Sequence, residues 1–172
     1  MTSCHECGYV YEELPVERVP ESLRAFGPSY REALASVEPE AATARAETTV
    51  WSALEYVCHL RDVLLVQRER VVLAQVQERP TVVPMSREER VAICRYDSQP
   101  LEDVLAQLAM ASDLCVRVFE GLTPAGWDRE LVYNWPSTEV RDVRWVGRHT
   151  VHEGRHHLYD IERLLAPSQR TG

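Results

Sequence analysis

The chain has 172 residues, the length of one domain, with 45% hydrophobic and 27% charged, which makes it globular and excludes a disordered segment. Nineteen basic residues against 27 acidic ones leave a net charge of −8 and a pI near 5.3. That balance excludes a phosphate-backbone binder and hence a nucleic-acid partner, because such affinity rests on Lys and Arg neutralising phosphates. All 19 basic residues are Arg, so lysine Schiff-base chemistry and a P-loop lysine are excluded too.

No apolar run approaches the roughly 18 residues of a membrane span. The densest stretches, Val63 to Val66 and Val71 to Ala74, are separated by Gln and Arg, so no membrane partner is expected. The opening Met-Thr-Ser-Cys-His-Glu-Cys has no basic region followed by an apolar one, so no secretory signal and a cytoplasmic location are expected. Five cysteines, an odd count, then favour free thiols or metal ligands over a disulfide frame.

In chain order, residues 1–14 form a short polar and aromatic extension carrying Cys4, Cys7, Tyr9 and Tyr11. Leu23, Phe26, Tyr30 and Leu34 recur at three- and four-residue steps and predict a first helix over Val16 to Ser36, open to interruption at Gly27 and Pro28. Glu38 to Thr49 reads as a connection. Trp51, Leu54, Val57, Leu60, Leu64, Val71 and Val72 predict a long second helix over Val50 to Gln77, stopped by Arg79-Pro80. Between Pro80 and Gln99 a helical turn is expected at Ser86 to Cys94, where Ser86 and Glu89 fit a capping box. A third helix follows over Leu101 to Leu122, then an irregular segment over Ala125 to Arg141. A last helix spans Val143 to Leu165, before a polar tail at 167–172. No strand-like alternation of useful length is visible. Four long helices in residues 15–166 predict an all-α, four-helix bundle.

Four of the six histidines, His149, His152, His156 and His157, fall within nine residues of the last helix. At about 100° per residue, His152 and His156 lie about 40° apart on one face, with His149 about 60° and His157 about 140° from His152. One turn apart, both imidazoles can reach one ion at Zn–N distances of about 2.0–2.1 Å. The spacing names a site type and not a metal, since imidazole serves zinc, nickel, copper and iron alike. His59, on the apolar second helix, is the candidate third ligand. Three ligands and an open position define the catalytic arrangement, four a structural one.

The stretch Trp51-Ser52-Ala53-Leu54-Glu55-Tyr56-Val57-Cys58-His59-Leu60-Arg61-Asp62, followed about ninety residues on by His152-Glu153-Gly154-Arg155-His156-His157, resembles the DinB/YfiT-like superfamily, with its mycothiol-dependent maleylpyruvate isomerase and thiol-S-transferase branches. The resemblance runs from about Leu23 to Leu165. It implies a four-helix bundle holding a divalent metal, zinc first and nickel next, with His59, His152 and His156 at the matching ligand positions. It also implies a low-molecular-weight thiol, mycothiol or bacillithiol, as cosubstrate, a small electrophile as substrate, and a homodimer. An accessible divalent ion can hold a thiol as thiolate, or equally lower the pKa of bound water towards about 7.

His152-Glu153-Gly154-Arg155-His156 also spells H-E-x-x-H, in which the glutamate activates a metal-bound water. A protease is disfavoured, because Tyr159 stands where the metzincin glycine belongs and no substrate-aligning sheet is evident. Glu153 remains the candidate catalytic base. Glu55 and Asp160, each one turn from an expected ligand, are candidates to orient an imidazole. Cys4-His5-Glu6-Cys7-Gly8 departs from the family pattern. A C-x-x-C-G turn suits zinc, with His149 as a candidate further ligand of a second metal site, while a redox pair and plain thiols stay open. Tyr96, Tyr133 and Trp135, on long loops, are the candidate substrate-binding residues. These features support a metal- and thiol-dependent transferase or isomerase. The alternatives are a metal-dependent hydrolase with a metal-bound hydroxide, or a non-catalytic, metal-stabilised binding protein.

Overall fold

The computed structural model describes residues 3–135 and 137–166, so the expected polar tail lies outside the described residues. The first arm of the bundle begins with a 3-10 turn at Val16–Arg18 and continues as α1 (Val19–Arg24) and α2 (Phe26–Leu34). The break falls at Ala25 and not at Gly27-Pro28. Pro28 sits in the first turn of α2, where a missing N–H forfeits no intrahelical bond. The expected connection after it contains a short helix, α3 (Pro39–Thr43).

The long second arm, α4, spans Ala53–Val76 and opens on a capping box. The Ser52 hydroxyl accepts from the Glu55 amide at 3.2 Å, and the Glu55 carboxylate accepts from the Ser52 amide at 2.7 Å. Arg45 grips the same carboxylate at 2.6 and 2.8 Å, and together these contacts hold Glu55 below its ordinary pKa against the opposing effect of burial. The box is thus here and not at Ser86. Ser86 precedes α5 (Arg87–Ile93) but has a left-handed backbone, φ 51° and ψ 55°, and makes no capping bond.

The third arm is α6 (Leu101–Glu120), followed by the single turn of α7 (Pro124–Trp127). Two strands that sequence reasoning did not anticipate come next. They are β1 (Glu130–Asn134) and β2 (Thr138–Asp142), an antiparallel hairpin with Val132 opposite Val140. Val132 also exchanges backbone bonds with the chain after α4, donating to the Pro80 carbonyl at 2.8 Å and accepting from Val82 at 3.0 Å. The alternation that marks a strand is confined to Leu131 and Tyr133, both buried, and β2 is polar and largely exposed, so neither gives a legible period. The last arm, α8 (Val143–Leu165), is capped by the Asp142 carboxylate, which accepts from the Trp145 amide at 2.7 Å.

α4 packs against both α6 and α8, and the α1–α2 arm closes the bundle against α6 and α8. Leu23, Phe26 and Tyr30 meet Leu60 and Leu64, Leu108 and Phe119, and Val146, Val151 and Ile161 in one contiguous core. Full burial of such side chains contributes about 1.5–3 kcal/mol each. At Gly154 the Phe26 ring lies directly on the α8 backbone, and the Tyr30 hydroxyl donates to the Gly154 carbonyl at 2.8 Å. That close approach fixes the rotation of α8 about its own axis, and with it the residues that α8 turns toward α4. Among the described residues no helix is long and apolar enough to cross a membrane.

Candidate metal centre

His59 sits one and a half turns into α4, buried, with its ring edge-on to that of Trp51 at 4.9 Å and to that of His157 at 5.0 Å. Across from it, His149, Glu153 and His157 follow one another at four-residue steps along α8. One carboxylate oxygen of Glu153, Oε2, lies 3.6 Å from His157 Nε2 and 3.9 Å from His59 Nε2. The other, Oε1, lies 3.7 Å from His149 Nε2. These separations exceed a hydrogen bond's 2.7–3.2 Å. They match the edges, about 3.3–3.4 Å long, of a tetrahedron of ligands each about 2.0–2.1 Å from a central ion, with modest contraction. His59, Glu153 and His157 each offer a ligand atom within 4.8 Å of the other two.

The charges of the cluster are mutually coupled. Burial alone would raise the Glu153 carboxyl, but His157 and His59 beside it hold it well below the usual carboxylate range. Burial alone would lower His157, but Asp160 and Glu153 overcome it and raise the ring to about 9. The Asp160 carboxylate sits 3.1 Å from His157 Nδ1, which fixes the proton on that nitrogen and aims Nε2 at Glu153. Burial keeps His59 and His149 below their ordinary pKa, hence neutral. Glu55, considered as a partner for an imidazole, is committed instead to the α4 cap.

The centre opens into a cavity of about 330 Å³ between α4, α8, the segment before α5 and the hairpin. His59, His149 and Glu153 form its floor, and Val63, Val66 and Met85 form an apolar wall. Tyr133 and Trp135 line it from the hairpin. The Tyr133 hydroxyl is held at 2.7 Å by both Gln67 and Arg70. Tyr96 does not reach the cavity. It is fully buried and donates its hydroxyl to Asp62 at 2.7 Å, inside a network that also ties Arg61 to Asp62, Gln99 and Gln107.

The structure does not bring together the expected triad of His59, His152 and His156. His152 and His156 are turned about one residue's rotation, roughly 100°, away from α4 and toward the N-terminal extension, where Cys4 and Cys7 meet them. His149, expected beside those cysteines, is instead stacked on Trp145 with ring centres 4.5 Å apart, at the cavity floor. His157, which sequence reasoning set aside as spare, and Glu153, which it read as a base, are the residues that converge with His59. The Tyr11 hydroxyl stands between the two groups, 2.9 Å from His149 Nδ1 and 3.1 Å from His152 Nδ1.

A carboxylate and two imidazoles gathered from two helices of a bundle form a donor set that could hold a metal ion. The sequence profile of the DinB superfamily matches residues 23–161, and the chain belongs to that superfamily. No curated protein matches the sequence. Among solved structures, YfiT from Bacillus subtilis, described as a probable metal-dependent hydrolase with an unusual four-helix bundle topology, superposes with a TM-score of 0.78 at 17% identity, covering 87% of this chain and 85% of that one. A mycothiol-dependent maleylpyruvate isomerase superposes with a TM-score of 0.71 at 14% identity over 89% of this chain, and a histidine-to-alanine mutant of it gives the same values. The match spans 63% of the isomerase chain, so about a third of that protein has no counterpart here. At these identities the likeness establishes the shared fold.

Proposed function

We propose that His59, Glu153 and His157 hold one divalent cation, zinc or nickel by donor type, and that the protein is a metal-dependent enzyme acting on a small electrophile. The observation that carries this reading is the convergence of two Nε2 atoms and one carboxylate oxygen at spacings too long for hydrogen bonds, with His59 and Glu153 of the three lining a cavity. When bound, the cation would act as a Lewis acid, holding a thiol as thiolate or a water as hydroxide at neutral pH. Asp160 holds a proton on His157 Nδ1, so the proton that a bound cation would displace is the one on Nε2. With Glu153 serving as a ligand, proton handling passes to His149, whose Nε2 lies 3.7 Å from Glu153 Oε1 at the cavity floor. Val63, Val66 and Met85 exclude water from one side, and Arg70 and Trp135 offer a cation and an aromatic face to the reacting molecule.

The preferred activity is transfer or isomerisation assisted by a low-molecular-weight thiol such as mycothiol or bacillithiol. The likeness to the mycothiol-dependent isomerase and the apolar cavity wall support it. Hydrolysis is the second reading, favoured by the placement of neutral His149 and by the higher TM-score with the probable hydrolase. Purified protein loaded with zinc or nickel should consume a chlorinated or bimane electrophile only when mycothiol or bacillithiol is added, and His157→Ala should abolish that turnover. Metal-dependent ester cleavage with no thiol requirement would instead establish the hydrolase. The resemblance also supports a cytoplasmic homodimer, which sedimentation of the purified chain tests.

A further inference from the structure

The centre just described leaves half of the histidine cluster unused, and that half faces a second set of ligands. Residues 3–10 double back as a tight loop. The Cys4 amide donates to the Tyr9 carbonyl at 2.8 Å, the Gly8 amide donates to the Cys4 carbonyl at 3.0 Å, and Ser3 pairs with Val10. Gly8, at φ 71°, takes the left-handed turn that closes the loop, a conformation glycine adopts without steric cost. Opposite stand His152 and His156, one turn apart on the outer side of α8.

One ligand atom from each of Cys4, Cys7, His152 and His156 lies within 4.8 Å of every other. In a tetrahedral zinc site, Zn–S of about 2.3 Å and Zn–N of about 2.0–2.1 Å put neighbouring ligands about 3.3–3.8 Å apart. Cys4 Sγ and His156 Nδ1, at 3.7 Å, already stand at that separation. His156 Nε2, on the far side of the ring, is 3.6 Å from Asp160 and 3.5 Å from Glu6, the carboxylate backing that orients a ligating imidazole. His152 supplies an independent observation. It is 6% exposed, its Nδ1 is engaged by Tyr11, and its Nε2 is buried without any hydrogen-bond partner. A buried ring nitrogen left unpaired is unfavourable unless something not yet counted satisfies it.

We infer that Cys4, Cys7, His152 and His156 form a second metal site, a closed Cys2His2 centre for a tetrahedral divalent cation, that fastens the N-terminal extension to α8. Two thiolates and two imidazoles select zinc, and four protein ligands leave no substrate position, so the site is structural. Binding displaces the two thiol protons to solvent and changes no oxidation state. The extension is too short to build a core of its own, yet Tyr9 and Tyr11 are buried at 5% and 2% exposure. A metal clasp would reinforce that packing against α8. The site shares no ligand with His59, Glu153 and His157, although Asp160 stands beside both His156 and His157, so either centre stands if the other fails.

The test is cobalt substitution of the full chain, purified with its thiols reduced. Wild type should take up two equivalents of cobalt and show an intense thiolate-to-cobalt charge-transfer band. Cys4→Ser and Cys7→Ser should each lose that band and one equivalent, while His59→Ala should retain the band and lose the other equivalent. Circular dichroism of each variant separates metal loss from misfolding. A wild-type spectrum without the charge-transfer band, a band that survives in Cys7→Ser, or a Cys4–Cys7 disulfide that persists under reducing conditions would each overturn the assignment.

Discussion

Replacing Gly154 by alanine tests the packing that sets the rotation of α8. A Cβ at Gly154 would lie 2.2, 2.3 and 2.6 Å from three atoms of the Phe26 ring, where ordinary contact begins near 3.4 Å. The ring must therefore retreat by about 1.2 Å, the difference between 3.4 and 2.2 Å, inside a core where Phe26 is 4% exposed. Overpacking of this kind costs about 1–3 kcal/mol, and here the upper end applies because several ring atoms clash together. Against it stands the helix propensity of alanine over glycine, a gain of about 1 kcal/mol. The net expectation is a loss of about 1–2 kcal/mol, or roughly 2–8 °C in Tm for a domain of this size. Urea denaturation of the metal-free protein measures it. Phe26→Leu in the same chain should recover most of the loss, giving a coupling of about 1 kcal/mol in the double-mutant cycle. A Gly154→Ala protein as stable as wild type, or a loss that Phe26→Leu does not relieve, would refute the close approach.

Three further outcomes are expected. Asp160→Ala, made in a Cys4→Ser/Cys7→Ser background so that only one centre is read, should weaken metal binding at His59, Glu153 and His157 by about 10–100-fold in chelator competition, and unchanged affinity would count against the orienting role. His157 is raised to about 9, burial opposing the shift while Asp160 and Glu153 prevail, so the metal-free ring holds its proton at pH 7. Since only the neutral ring ligates, affinity in that background should rise as pH rises and level off above about 9, with proton release visible by calorimetry in buffers of different ionisation enthalpy. An affinity that falls across that window contradicts the assignment. Ser52→Ala should cost about 1 kcal/mol by removing the hydroxyl that caps the Glu55 amide, and a change confined to a few tenths would show that this half of the capping box contributes little.

The bundle is legible because α6 and α8 carry long helical periods and α4 is a long run of helix-forming residues bounded by Ser52 and Arg79-Pro80, in which His59 is the one histidine. The face of α8 that meets His59 carries residues 153 and 157, one residue on from the 152/156 pair. Overlapping pairs at four-residue spacing, 149/153, 152/156 and 153/157, cannot be ranked by spacing alone. The apolar stripe of Val143, Thr150, Gly154 and Ile161 ranks them, all four being buried. On a helical wheel His157 and Glu153 lie about 40° and 80° from the middle of that stripe, whereas His156 and His152 lie about 140° and 180° away. Gly154 carried the same information, since a glycine inside a long helix marks close contact with a neighbour. The hairpin escaped notice because its alternation lasts only through Leu131 and Tyr133. The local sequence fits a capping box equally well at Ser86, but a left-handed backbone there removes the geometry it needs.

The Tyr11 hydroxyl, caught between His149 and His152, has a single hydrogen, and among the described residues it has no other partner. Burial, reinforced by the charge of Glu153, pushes its pKa up, so that hydrogen stays in place. The two rings must then adopt opposite tautomers. If His152 gives Nε2 to a cation on the head, its Nδ1–H donates to the Tyr11 oxygen, and the Tyr11 hydrogen passes to His149 Nδ1. His149 is left with a hydrogen on Nε2, facing Glu153 and the cavity. A cation bound on the outside of the bundle would thereby dictate whether the residue at the cavity floor offers a proton or a lone pair.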